Sequence, residues 1–349
     1  MHRFVQSQIH YLKTLPAPSQ VAANGLLIFD RQIYQKNPKV RSWIDKWSYK
    51  YGVNAGERLK DLDFFAEHMK QILKKIDGIS HKDLTIVCIG GGSVGDFSGF
   101  VASTLKRGLR FMQIPSTWLA AIDSSHGGKT ALNVGHAKNQ IGTFYPAQDI
   151  FIVESLLSAQ PASLTVDGLA ELTKIAFLDR KPWTKTFLSS SLKNQKLIFR
   201  FLKPGIQAKW DVVNKDPFEQ TGHRRILNLG HSLGHILELH HGLSHGKSVA
   251  LGLHFSLLWS HKLGLLKDSE FNRLKMFLDK QLPVEMILKQ RKLPPLSKAQ
   301  FLKLASKDKK ASLHKKFYFI FLKKLGTPFQ QEVSLQKFYL EAKRQGWAK

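Results

Sequence analysis

The chain has 349 residues, enough for two domains that each bury a core, and its 43% hydrophobic content excludes a disordered polymer. A single cysteine, Cys88, excludes an intrachain disulfide; no apolar run reaches bilayer-spanning length, and MHRFVQSQIHYLKTLPAP lacks the apolar stretch of a secretory leader. A cytoplasmic enzyme is therefore the default expectation, although 53 Lys and Arg against 26 Asp and Glu give a formal net charge of +27, which brings polyanionic partners into consideration.

In chain order, LLIFD (Leu26 to Asp30) reads as a first buried strand that ends on an acid. Asn54 to Arg58 (NAGER) reads as a turn. Leu62, Phe65, Met69, Ile72, Leu73 and Ile76 then recur at helical spacing. The run beginning Thr85, Ile86, Val87 predicts a strand that breaks into Gly90, Gly91 and Gly92, and a helical pattern resumes at Gly95. Phe111 to Ile114 and Ile150 to Val153 are further short strands. This alternation predicts an α/β domain with a mainly parallel, Rossmann-like sheet over residues 1–156. Residues 157–349 read as mostly α-helical, with patterns over Leu164 to Asp179, Leu192 to Leu202, Ile226 to Leu239, Ser248 to Leu263 and Glu270 to Gln281. FYFIFL, Phe317 to Leu322, is an exception that predicts a strand or hairpin arm. The positive charge concentrates late: Lys262 to Lys324 holds 17 Lys or Arg against 5 Asp or Glu, set in amphipathic patterns that read as a solvated basic face.

Two features carry chemistry. A strand, a glycine turn and a helix start offer backbone N–H groups and a positive helix end to a phosphate. GGGSVGD departs from the usual dinucleotide fingerprint, so by itself it leaves cofactor binding and ordinary turn punctuation both open. In the second half His231 and His235 stand four apart, on one face of a helix, and His245 follows at the entrance to the next helical pattern. Glu171 has Lys174 one turn on. Two imidazoles and a carboxylate suit Zn²⁺ with an open position, whereas His240, His241 and His254 show that chance pairs also occur in a chain with 15 histidines.

GGGSVGDFSGF, KRG at Lys106 to Gly108, IPSTWLAAIDSSHGGKT, KNQIGTFYP, GLAELTK, RILNLGHSLGH and SHGKSVALG, in this order, resemble the 3-dehydroquinate synthase family from about Leu26 to Gly326. The resemblance implies an NAD- and Zn²⁺-dependent (or Co²⁺-dependent) sugar-phosphate cyclase, usually a homodimer, with its active site in the cleft between an α/β and an α-helical domain. The implied reaction converts 3-deoxy-D-arabino-heptulosonate 7-phosphate to 3-dehydroquinate and phosphate. By the same resemblance Glu171, His231 and His245 fall on the metal ligands, with His241 the alternative for the third. Asp30, Glu57, Lys60, Gly91, Gly92, Asp96, Ser116, Thr117 and Lys138 fall on the NAD side. Asp123, Lys129, Asn139, Lys174, Lys209, Arg224, Asn228, His235 and Lys310 fall on the substrate side, and Arg107 on the phosphate site of a neighbouring subunit.

The residue types suit these roles. Lys129, Arg107, His235 and Asn228 can cradle a phosphate dianion, and the Arg224 fork suits a carboxylate. The chain departs from the family pattern at Ser116, Trp118, His126 and Lys247, and has a shorter segment between His235 and His245. These departures keep two alternatives in view: a cyclase for another sugar phosphate such as sedoheptulose 7-phosphate, and an inactive homologue that binds nucleic acid or an acidic partner.

Overall fold

Buried β-branched runs build the first half of the molecule. In the computed structural model, which describes residues 4–80, 83–135, 137–192, 195–282, 284, 287, 293–306 and 316–349, the chain forms two compact units, Met1–Gly168 and Leu169–Lys349.

The first unit is organised by six parallel strands: β1 (Gln8–Leu12), β2 (Gly25–Asp30), β3 (Tyr49–Val53), β4 (Thr85–Gly90), β5 (Arg110–Pro115) and, after a hairpin, β8 (Asp149–Val153). Their order is β1-β8-β5-β4-β2-β3, and every pairing is parallel. Leu27, Val87, Ile89, Met112, Ile114 and Val153 pack on Trp43, Ile44 and Trp47 in one continuous core. Strand β4 is buried at all six positions, as its unbroken apolar run requires. From β2 the chain moves outward to β3 and then returns to the opposite flank of β2 as β4. The carboxyl ends of β2 and β4 therefore flank a topological switch point, the place where open α/β sheets bind ligands.

Helix α1 (Leu62–Lys75) realises the periodicity that begins at Leu62. Helix α2 (Gly92–Thr104) starts three residues before the resumption expected at Gly95, so the glycine turn runs directly from β4 into it. Glycine lets α2 settle close to its neighbours: a Cβ on Gly99 would lie 2.3 Å from the Thr130 methyl of a following hairpin and 3.1 Å from the Phe111 ring of β5. An antiparallel hairpin, β6 (Lys129–Val134) with β7 (Ala137–Phe144), stands apart from the main sheet.

The second unit is mostly helical: α3 (Ala162–Leu178), which begins in the first unit, α4 (Gln195–Val213), α5 (His231–His241), α6 (His245–Lys262), α7 (Asp268–Gln281) and α8 (Leu335–Arg344), with shorter helices between them. Phe317 to Leu322 lies in β9 (Lys316–Lys324), which pairs antiparallel with β10 (Thr327–Ser334). Its inward rings join an aromatic core in which Trp259 meets Phe319 at 4.7 Å and Phe321 at 5.1 Å between centroids.

Two sequence expectations need correction. LLIFD is the second strand, because the polar QIHYL segment forms β1 on the sheet edge. Strand β3 goes unmarked in the sequence, because Lys50 and Gly52 interrupt any apolar run. The single helix expected over Ile226 to Leu239 is instead a 3₁₀ turn, His223–Asn228, followed by α5, because Gly230 adopts φ 80° between them.

Candidate active site

The glycine turn places backbone at the switch point. Gly91 is the N-cap of α2, and the Ser116 N–H donates to the Gly90 carbonyl at 2.9 Å, so the turns after β4 and β5 lie side by side. A Cβ on Gly90 would sit 2.6 Å from Val94, one on Gly92 3.1 Å from the Ser124 hydroxyl, and one on Gly91 3.3 Å from Thr117. The thirteen-residue helix behind this turn directs its first N–H groups and positive end outward. Across the switch point, Asp30 ends β2 and accepts from the Gln32 N–H at 2.9 Å. Burial raises the Asp30 carboxyl above its usual value, against the pull of the Gln32 and Ala55 amides. Thr117 accepts from the Ala120 N–H at 3.1 Å and so fixes the turn that carries Asp123.

A second cluster joins α2 to the hairpin. The buried Lys60 ammonium donates to Asp96 Oδ2 and to Asn139 Oδ1, each at 2.6 Å. Burial raises the Asp96 carboxyl despite the opposing charge of Lys60. Asn139, at φ 53°, donates its N–H to Asn133 Oδ1 at 2.9 Å, and Asn133 Nδ2 donates to Glu57 Oε2 at 2.9 Å. Lys138 Nζ stands 3.9 Å from Glu57 Oε1. Asn139, expected on the substrate side, thus shares a network with Glu57, Lys60, Asp96 and Lys138, all expected on the cofactor side. Asn133 belongs to the same network, and Ser93 accepts from the N–H of Gly56, the residue before Glu57, at 3.0 Å. Neither stands out in the sequence, because asparagine and serine carry no spacing signal.

The second unit holds the candidate metal centre. Glu171, on α3, is fully buried, and its Oε1 lies 3.3 Å from His231 Nε2 and 3.0 Å from His245 Nε2. One ligand atom from each of the three residues lies within 4.8 Å of the others. The second carboxylate oxygen pairs with Lys174, which is itself buried. His231 Nδ1 is 3.2 Å from the Leu229 carbonyl and His245 Nδ1 is 3.3 Å from Glu238 Oε2, so both rings turn Nε2 toward Glu171. A carboxylate and two imidazole nitrogens converging in this way fit a divalent transition-metal ion, Zn²⁺ or Co²⁺, with room for a further oxygen ligand.

The three groups are electrostatically coupled. Burial would raise the Glu171 carboxyl, but the charges of Lys174 and His231 and the hydrogen bonds from His231 and His245 hold it well below the usual range. Burial lowers His231. Burial also opposes the charged form of His245, yet hydrogen bonds and charge from Glu171 and Glu238 prevail and push it up to about 10.

Glycine makes this convergence possible. A Cβ on Gly252 of α6 would lie 1.8 Å from the Gly230 carbonyl oxygen, and one on Gly234 of α5 3.0 Å from the Ser248 carbonyl oxygen. The α5 start and α6 therefore touch backbone to backbone. Gly242, at φ 60°, ends α5 and returns the chain so that His245 opens α6. His245 joins the cluster, whereas His241 is the last residue of α5 and is not among the converging groups.

The remaining candidates are more dispersed. His235 lies one turn beyond His231, with ring centroids 5.3 Å apart. Lys209 is buried on α4. Arg224 is buried in the 3₁₀ turn, donates to the Pro217 carbonyl at 2.9 Å and stands 3.8 Å from Glu219, while Asn228 ends that turn. Lys129 opens β6 and is exposed. Lys106 and Arg107 adopt φ 49° and 68°, a strained pair on an exposed turn. Lys310 lies outside the described residues. His126 is buried, with Nε2 2.9 Å from the Ala121 carbonyl, so its ring is fastened to backbone.

Comparison with known proteins agrees with the sequence motifs. Residues 50–166 match the family model for 3-dehydroquinate synthase N-terminal, and residues 168–311 match that for 3-dehydroquinate synthase C-terminal. The chain is 36% identical over 247 residues to the 3-dehydroquinate synthase of Methylacidiphilum infernorum, covering 70% of this chain and 66% of that protein. It is 34% identical over 242 residues to the 3-dehydroquinate synthase of a Sulfurovum species, covering 68% of each. Among solved structures it shares its fold with 2-deoxy-scyllo-inosose synthase complexed with carbaglucose-6-phosphate, NAD⁺ and Co²⁺ (TM-score 0.82, 22% identity, 97% of this chain and 96% of that one). It also shares it with the 2-epi-5-epi-valiolone synthase of Streptomyces hygroscopicus subsp. jinggangensis, solved with NAD⁺ and Zn²⁺ (TM-score 0.74, 19% identity, 99% of each).

Proposed function

Because the chain belongs to the 3-dehydroquinate synthase family, we propose that it converts 3-deoxy-D-arabino-heptulosonate 7-phosphate to 3-dehydroquinate and phosphate. The observation that carries this reading is the buried convergence of Glu171, His231 and His245 in a chain that also has a glycine turn at the switch point of its parallel sheet. The donor set fits a divalent metal. The close-packed glycines, the α2 N-terminus and Asp30 fit a dinucleotide, with the pyrophosphate at the helix start.

When bound, NAD supplies reversible hydride acceptance and the metal ion polarises the substrate oxygen being oxidised. The other roles belong to side chains. Lys60, paired with Asp96, holds Asn139 of strand β7 in place. Lys174 neutralises one oxygen of Glu171 and keeps the other directed at the two imidazoles. Arg224, anchored by Pro217 and near Glu219, is assigned to the substrate carboxylate. Lys129, Asn228 and His235 are assigned to the phosphate and ring hydroxyls, and Asp123, Lys209 and Lys310 to the substrate. Arg107, on its strained exposed turn, is assigned to the phosphate site of a second copy in a homodimer. The protein acts in the cytoplasm.

The experiment offers purified protein, with NAD and Zn²⁺, the heptulosonate phosphate and, separately, sedoheptulose 7-phosphate, then measures phosphate and identifies the carbocycle. The proposal expects release from the first with 3-dehydroquinate as product. Turnover of sedoheptulose 7-phosphate alone would overturn it.

A further inference from the structure

We propose that Glu238 is a positioning residue for the metal centre: it fixes the His245 imidazole as the tautomer that carries its proton on Nδ1 and presents Nε2 to the ion. The inference rests on the reading that Glu171, His231 and His245 hold a divalent metal. Glu238 lies seven residues after His231, close to two helical turns on, and so on the same face of α5. The left-handed Gly242 cap, whose N–H donates to the Glu238 carbonyl at 3.1 Å, folds the chain back and brings His245 to the level of that side chain. Glu238 Oε2 then stands 3.3 Å from His245 Nδ1, while Nε2 of the same ring lies 3.0 Å from Glu171 Oε1.

The two imidazoles are thereby aimed by different means. His231 has a backbone carbonyl at Nδ1, whereas His245 has a carboxylate. A carboxylate behind a ligating imidazole sets its tautomer and orientation and raises its basicity, and losing such a partner typically weakens metal binding about 10–100-fold. The competing view is a partly exposed ion pair across a helix turn, of little consequence. Ordinary surface pairs, however, do not share their imidazole with a second, fully buried carboxylate, as this one does with Glu171.

The test compares the full-length chain with Glu238→Gln and Glu238→Met, a pair that keeps side-chain length and helix preference. Zn²⁺ affinity of the chelator-stripped proteins is measured by competition with a chromophoric chelator, and the His245 ring nitrogens of the zinc-loaded proteins are followed by ¹⁵N NMR. Glu238→Met should bind about 10–100-fold more weakly and lose the protected Nδ1–H signal. Glu238→Gln, whose amide oxygen still accepts from Nδ1–H, should recover most of the affinity and the signal. Wild-type affinity in Glu238→Met, or equal losses in both variants with the Nδ1–H signal unchanged, overturns the inference. If the wild-type chain binds zinc no more tightly than a Glu171→Ala, His231→Ala double variant, the metal reading itself fails and this inference with it.

Discussion

Replacing Gly252 by alanine should separate the two helices that carry the histidines. The new Cβ would stand 1.8 Å from the Gly230 carbonyl oxygen and 2.7 Å from its carbonyl carbon. An ordinary carbon–oxygen contact is about 3.3 Å or longer, so α6 and the Gly230 turn must part by about 1.5 Å. Gly230 directly precedes His231, and His245 begins the helix that is displaced. Metal–ligand distances tolerate only about ±0.2 Å, so the cluster cannot follow a shift of that size without losing affinity. Overpacking of this kind costs about 1–3 kcal/mol, and a backbone partner that cannot rotate away places it at the upper end. Alanine in a helix interior returns about 1 kcal/mol, which leaves a net loss of about 2 kcal/mol. At about 2–4 °C per kcal/mol for a unit of this size, the melting transition should fall by about 4–8 °C. Thermal melts with and without Zn²⁺, beside a chelator competition, read both effects. An alanine variant that is more stable than the parent and binds zinc equally well would refute the reasoning, because that is what an uncrowded helical glycine would do.

Other consequences follow from the same geometry. His245 is pushed up to about 10 without metal, so loading one ion at neutral pH should expel about one proton, and affinity should rise about tenfold per pH unit until about pH 10. Calorimetry in buffers of different ionisation enthalpy measures that proton, and a binding heat independent of buffer would contradict the assignment. Lys60→Met leaves the Asp96 carboxylate and the Asn139 amide oxygen without their shared donor, and should cost about 2 kcal/mol in urea unfolding and weaken NAD binding; unchanged values for both would remove Lys60 from the site. His126→Val removes the bond to the Ala121 carbonyl, so it should lower stability by about 1 kcal/mol and leave turnover close to the parent's. A large loss of turnover with normal folding would show that the ring serves the reaction.

The sequence showed most clearly what repeats a pattern. Strands β2, β4 and β8 carry unbroken apolar runs because the sheet buries them on both faces, and β5 is buried likewise although Gln113 interrupts its run. The edge strands were illegible for the complementary reason: β1 keeps Gln8 and His10, and β3 keeps Lys50, where a single neighbour and partial exposure suffice. Hairpin strand β7 is exposed over six consecutive positions, so no alternation marks it. At the site, the motif order pointed to Glu171, His231 and His245, but residue spacing gave no choice between His241 and His245. That choice depends on the left-handed Gly242 cap, which starts a new helix with His245 at its head. Glu238 was legible in principle as a carboxylate two turns from His231, and it gains meaning only once His245 is seen to fold back on it.

If the buried cluster and the glycine turn serve one reaction, that reaction requires both a metal ion and NAD. The measurement is phosphate release from 3-deoxy-D-arabino-heptulosonate 7-phosphate by protein stripped of metal and NAD, with each added back singly and together. Release that requires both, is restored by about one zinc ion per chain and is abolished in Glu171→Ala and His231→Ala is the predicted result. Release that persists at full rate in the stripped protein, or in both variants, would contradict it.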